Sequence, residues 1–213
     1  MSTMSVCVGS YGWYLEGEIH DTWIDLPVDP ATIKPWLIKH RLWDPTREEI
    51  YISDYELPIL GLDFGTILNE HTPLEHLNML AQLMDMLPLE CETLTAFIET
   101  SGEEPDDILG IANWLIEADR LPYYVYDVPD FCANDSPEEK YGYQLAQGTS
   151  WWDALGANGV SDYFDLEDFG RAWSANVALG DDGYVDLCQD FPDQNRYSWD
   201  DIEQMMPWHV GSE

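Results

Sequence analysis

A chain that carries 42 Asp and Glu against only 8 Lys and Arg has to fold against its own charge. The formal balance is -34 over 213 residues, and like-charge repulsion works against any compact state. An excess this large calls for a reason outside folding. Three readings compete: a solvated disordered tail, the surface of a halophilic protein, or a surface that attracts something built to bind polyanions.

Disorder fails on composition. Acidic chains stay unfolded when they lack the apolar surface to offset chain entropy. Here 45% of residues are hydrophobic and 13% aromatic, with 10 Trp and 12 Tyr. The halophile reading draws on the scarcity of lysine, confined to Lys34, Lys39 and Lys140, but high-salt surfaces are expected to thin the bulky apolar residues in which this chain is rich. The acidity is also spread. Residues 1–70 carry a net charge of -8, residues 71–120 carry -10 and residues 121–213 carry -16. Every segment is negative and every segment holds core residues.

No apolar run approaches the roughly 20 residues that span a bilayer. The opening stretch lacks the basic start and apolar core of a secretory signal, so a cytoplasmic location is expected. Cys7, Cys91, Cys132 and Cys188 lie far apart, without paired zinc-ligand spacing. They read as reduced thiols. Anionic membranes and nucleic acid would repel this surface.

Hydrophobic periodicity predicts an α+β chain: a series of three small units and a C-terminal extension. The first, 1–63, is a small sheet with a helix. Ser5–Ser10, Ile19–Leu26 and Ile50–Asp54 read as strands, with a turn-rich stretch holding Gly12 and Gly17 between the first two. Asp29 caps a short helix that begins at Pro30 and contains Pro35. The second unit, 64–120, is helical. Thr72 to Glu75 has the pattern of a capping box. Leu74, Leu77, Leu80, Ala81 and Met84 recur at helical spacing until Pro88. A second helix spans about Leu89–Glu99 with Leu94, Phe97 and Ile98 inward. A third starts near Pro105, with Ile108, Ile111, Ala112 and Leu115 on one stripe.

The third unit, 121–190, mixes a strand at Tyr123–Tyr126 with helices capped at Ser136, Ser150 and Asp165. A hairpin links Val177–Leu179 to Tyr184–Cys188. The extension, 191–213, holds a helix capped at Ser198 and ended by Pro207.

Catalytic and metal readings find little support. With so many carboxylates, acid pairs of the glycosidase type arise by chance, and sequence cannot separate their pKa values. A carbohydrate-active enzyme therefore remains the alternative, together with a halophilic protein of unrelated function. Asp181-Asp182-Gly183 with Asp186 lacks the alternating ligands and closing Glu of a calcium loop. His20, His40, His71, His76 and His209 show no ligand spacing, and no phosphate-binding glycine loop occurs. No cofactor and no metal are expected. Helix capping explains some acids, including Glu75, Glu139, Asp153, Asp168 and Asp201 near predicted N-termini. It does not explain the missing bases.

Duplex DNA presents one negative charge per roughly 1.7 Å of its axis. Carboxylates displayed along a surface imitate that field and can occupy a DNA-binding groove without any catalytic residue. The expected working acids are distributed: Glu16, Glu18, Asp54 and Glu56 in the first unit, Glu99, Glu103, Glu104, Asp106 and Asp107 in the second, and Asp127, Asp130 and Glu167 in the third.

Four ordered motifs sharpen that expectation. Tyr14-Leu15-Glu16-Gly17-Glu18 leads to Trp23-Ile24-Asp25-Leu26-Pro27. Ser53-Asp54-Tyr55-Glu56-Leu57-Pro58 follows, then Glu75-His76-Leu77-Asn78-Met79-Leu80 within Leu74–Leu87. Last comes Tyr163-Phe164-Asp165-Leu166-Glu167-Asp168-Phe169-Gly170-Arg171. Together they resemble, in order and from about Tyr11 to Cys188, the ArdA antirestriction proteins, acidic DNA mimics carried by phages, plasmids and transposons. The stretch from Arg120 to Gly148 departs from the pattern, Ala172-Trp173 stands where Asp-Leu is common, and Gln189–Glu213 runs past the typical end. The resemblance implies an elongated homodimer that fills the DNA-binding groove of type I restriction-modification enzymes. It also implies a dimer contact near the hairpin, at Val177, Leu179, Tyr184, Val185 and Leu187.

Overall fold

The first strand sets the frame of the N-terminal region. In the computed structural model, which describes residues 4–57, 67–129, 132 and 135–209, β1 (Met4–Ser10) lies between β2 (Asp21–Leu26) and β3 (Ile50–Glu56) in an antiparallel sheet. Alternation decides its two faces. Met4, Val6, Val8, Ile24, Leu26 and Ile52 point inward and are at most 6% exposed. The register shifts between Cys7 and Val8, so that Cys7 faces Asp54 and Val8 faces Ile52. This bulge keeps the acids after Ile52 on the outer face.

Between β1 and β2 the chain forms a five-residue helix, α1 (Tyr11–Leu15), rather than the expected turn. It buries no residue, which is why hydrophobic periodicity gave no sign of it. Helix α2 (Pro30–Lys39) is capped as expected. The Asp29 carboxylate accepts from the Ala31 N–H at 2.9 Å, and Pro35 lies inside the helix.

Helices α3 (Leu74–Met86), α4 (Pro88–Ser101) and α5 (Ile108–Ile116) follow. The expected stripes are buried: Leu74, Leu77, Leu80, Ala81 and Met84 on α3, Leu94, Phe97 and Ile98 on α4, and Ile108, Ile111, Ala112 and Leu115 on α5. The capping box at Thr72 does not form. The Thr72 hydroxyl instead accepts from the Asn69 N–H at 3.1 Å, and Pro73 takes the N-cap position. A nearby turn competes for the same hydroxyl. Helix α5 starts three residues later than expected, where the Asp107 carboxylate accepts from the Leu109 and Gly110 N–H groups, both at 2.9 Å.

In the C-terminal half, β4 (Tyr123–Val125), β5 (Val177–Leu179) and β6 (Gly183–Asp186) form a second antiparallel sheet, ordered β4-β6-β5. Helices α6 (Pro137–Ala146), α7 (Ser150–Ala157) and α8 (Leu166–Trp173) accompany it. Ser136 and Asp165 cap α6 and α8, while Thr149 rather than Ser150 caps α7. Helices α6 and α8 touch through glycines. A Cβ on Gly142 would lie 2.0 Å from the Leu166 carbonyl oxygen, and one on Gly170 would lie 1.8 Å from that of Glu138. Trp151, Trp152, Phe164 and Phe169 form an adjoining ring cluster.

Helix α9 (Trp199–Met205) follows, with the expected reciprocal box between Ser198 and Asp201, and a short 3-10 helix (Pro207–His209) ends the described chain. The described residues form two compact units. One draws on Met1–Leu94, Glu104–Asp119 and Pro192–Glu213, the other on Thr95–Glu103 and Arg120–Phe191. With two small antiparallel sheets and helices segregated from them, the fold class is α+β. Among the described residues no helix is long and apolar enough to cross a membrane.

Candidate acidic interface

The fate of the scarce cations comes first, because each one tied to a carboxylate removes that acid from the external field. Arg47 bonds Glu16 at 2.7 Å and Asp44 at 3.1 Å, and its guanidinium lies over the Trp13 ring at 4.2 Å. The bonds from Glu16 and Asp44 raise its pKa further. Asp44 is held below the usual carboxylate range, first by the Thr46 hydroxyl and N–H. Arg171 pairs with Glu167 and Asp168 on α8, and Arg196 pairs with the buried carboxylate of Glu117. Lys140 is buried and donates to the Asp181 carbonyl at 2.8 Å. Lys34 stands 4.1 Å from the centre of the Trp43 ring. Arg47, Arg171 and Arg196 are thus tied to carboxylates, and Lys140 is buried.

The predicted acids can now be placed. Glu16, Glu18, Asp54, Glu56, Glu99, Glu103, Glu104, Asp106, Asp107, Asp127 and Glu167 are all exposed, and Asp130 lies outside the described residues. Glu16 and Glu167 are held in ion pairs, and Asp107 caps α5. Glu18 bonds the His20 ring at 3.0 Å. Asp54 and Glu56 share the outer face of the first sheet.

That face holds residues the sequence reading passed over. The ladder sets Asp25 opposite Ser5 and Glu56, Trp23 opposite Cys7 and Asp54, and Asp21 opposite Gly9 and Tyr51. Two strands bearing carboxylates therefore flank a central strand of small residues. Ser5 donates to Asp25 at 2.6 Å, and the Tyr51 hydroxyl reaches over Gly9 to Asp21 at 2.9 Å. A Cβ at Gly9 would sit 2.3 Å from the Tyr51 ring. Burial, with the bond to Asp21, pushes the Tyr51 phenol up to about 12. Among the described residues, none of Asp21, Asp25, Asp54 and Glu56 has a cationic partner. The alternation Asp21, Trp23, Asp25 against Thr22, Ile24, Leu26 was the available signal.

In the second unit, Glu99, Asp181 and Asp182 line a cleft of about 290 Å³ with Tyr123 and Thr100. Burial and then Asp182 and Glu99 raise the Tyr123 phenol. A second cleft, of about 450 Å³, holds Asp135, Glu139 and Asp162 among Tyr143, Trp152 and Phe164. Burial and the neighbours Asp135, Glu167 and Asp165 raise Glu139 above the ordinary carboxylate value. On the hairpin, Val177, Leu179 and Tyr184 are half-buried and Leu187 is 47% exposed, whereas Val185 points into the core at 0%.

Residues 6–186 match the family model described as Antirestriction protein (ArdA), and the chain belongs to that family. The family assignment makes this an antirestriction protein, of a class directed at restriction enzymes and not known for catalysis. No curated protein matches the chain.

Proposed function

We propose that the protein is a DNA mimic that occupies the DNA-binding groove of a type I restriction-modification enzyme. The observation that carries this reading is the asymmetry of its charges. Of only 8 Lys and Arg against 42 Asp and Glu, Arg47, Arg171 and Arg196 are held in ion pairs, while carboxylates such as Asp25, Asp54, Glu56, Glu104 and Asp106 stand exposed on the surface. A groove lined with Lys and Arg meets in such a surface the field it meets in duplex DNA. Inhibition of this kind needs no catalytic step and no cofactor.

The protein acts as a homodimer through the hairpin region of Val177, Leu179, Tyr184 and Leu187, with Val185 supporting it from the core. Its place of action is the bacterial cytoplasm, where it protects an incoming mobile element. The test is competition. Increasing amounts of the protein are added to a purified type I enzyme on labelled duplex DNA at several salt concentrations. Displacement of the duplex, weakening as salt rises, supports the mimic. Loss of nuclease activity with the duplex still bound would overturn it.

A further inference from the structure

We infer that the outer face of the first sheet is an arginine-docking surface with Trp23 as its anchor. Trp23 is 44% exposed on an edge strand whose inward residues, Ile24 and Leu26, already fill the core beneath. Its indole stands between Asp21 and Asp25, each two residues away on the same face and so about 7 Å distant along the strand. Across the small residues of β1, about 10 Å away, lie Asp54 and Glu56. The carboxylates of the two edge strands and one exposed aromatic ring thus border a shallow trough along β1, with Ser5 half-buried and Cys7 covered at its base.

Charge decides what can fill it. A second copy docking here face to face would set Asp21, Asp25, Asp54 and Glu56 against the same four acids, and nucleic acid or an anionic membrane would be repelled as well. A cationic protein surface is left. Between its two cations the trough selects arginine. A guanidinium can stack flat on an indole while its N–H fork bonds a carboxylate, whereas an ammonium is a compact, strongly hydrated point charge. Carboxylates at the rim supply attraction at long range, and a partly exposed Trp among them supplies the short-range anchor that hot spots favour.

The identity of the enzyme that carries the arginines rests on the mimic reading above; the chemistry of the face does not. The experiment therefore has two arms. In the first, nona-arginine and nona-lysine peptides are titrated against the full-length protein, its Trp23→Ala and Trp23→Phe variants and the fourfold variant Asp21→Asn, Asp25→Asn, Asp54→Asn, Glu56→Gln. In the second, the same proteins compete with duplex DNA for a type I enzyme.

The expected result is tighter binding of nona-arginine than of nona-lysine by the parent, with about a fivefold loss of that preference in Trp23→Ala and partial retention in Trp23→Phe. The salt dependence should be unchanged in the tryptophan variants and reduced in the fourfold variant. Circular dichroism and thermal melting identify any variant that fails to fold, and Trp23→Phe keeps the test decisive if Trp23→Ala does. Equal binding of the two peptides by the parent, or equal nona-arginine affinity in parent and folded tryptophan variants, overturns the proposal. So does a change of solution mass in the tryptophan variants, which would make the face a self-association surface. If the parent fails to displace DNA, the mimic reading falls and the peptide arm still decides the face.

Discussion

The side-chain amide of Asn113 holds both backbone polar groups of Tyr197. Its carbonyl oxygen accepts from the Tyr197 N–H at 2.8 Å, and its NH₂ donates to the Tyr197 carbonyl at 3.0 Å and to that of Leu109 at 2.9 Å. Asn113 is 0% exposed. The same device recurs at Asn78, which takes both backbone groups of Val28 at 2.8 and 2.9 Å. Around Asn113, the Trp114 indole donates to the Pro192 carbonyl at 3.0 Å, Arg196 pairs with Glu117, and Trp199 stacks on His76 at 4.4 Å. Residues 192–209, beyond the family match, are therefore a strap built into the first unit.

Asn113→Ala should cost about 2–4 kcal/mol, because it removes the partner of three backbone groups at a buried side chain. Urea denaturation of parent and variant measures it. Deleting residues 192–213 should lower the melting temperature by more than the point change does, since Ile202 and Met206, both 0% exposed, leave with the strap.

Gly170→Ala should destabilise the second unit by about 3 kcal/mol, with Gly142→Ala similar. Each added methyl would meet a helix carbonyl rather than the end of a flexible side chain, and overpacking against backbone forces whole helices apart. Thermal melts read the loss directly. Gly156→Ala, where nothing lies within 4 Å, is the control expected to be neutral or slightly stabilising.

Glu139 titrates above the ordinary glutamate value in the folded chain, chiefly through burial. The folded state thus holds this proton more tightly than the unfolded state does. Between the ordinary value of 4.5 and the raised one, its contribution to stability falls as pH rises, and at neutral pH the ionised group is a net cost. Glu139→Gln should melt higher than the parent at pH 7, and the difference should vanish as pH drops below the ordinary glutamate range. A variant that melts lower at pH 7 would contradict the sign.

Inhibition should resist single changes and yield to blocks. Neutralising any one of Glu99, Glu103, Glu104, Asp106 or Asp127 should alter the inhibition constant less than about fivefold, since an exposed ion pair is worth about 0–1 kcal/mol. Neutralising all of them together should cost on the order of a hundredfold and flatten the salt dependence. A titration of nuclease activity against each variant measures both.

Much of this fold could be read from local patterns. The caps at Asp29, Ser136, Asp165 and Ser198 formed as their side chains predicted, because a cap needs only neighbours two or three residues away. Amphipathic stripes on α3, α4 and α5 named their own core residues. Where a tertiary competitor entered, local reading failed. Thr72 gave its hydroxyl to a preceding turn, and α1 formed without burying a side chain. The candidate site was legible only as a surplus of acids. The list included Glu16 and Glu167, which are neutralised by Arg47 and Arg171, and omitted Asp21 and Asp25, which are not.

Charge surplus, core-forming composition, the capped helices and the ordered motifs that carry the family are all properties of short stretches, and the chain alone determines them. Which acids stay unpaired is another matter. Arg47 reaches Glu16 across 31 positions and Arg196 reaches Glu117 across 79, so the residual surface charge exists only after folding. The trough at Trp23 likewise depends on the register that sets Asp25, Ser5 and Glu56 in one row. A slip of one residue would send that row to the other face, and only the packing of Val6, Val8, Ile24 and Ile52 into the core forbids it.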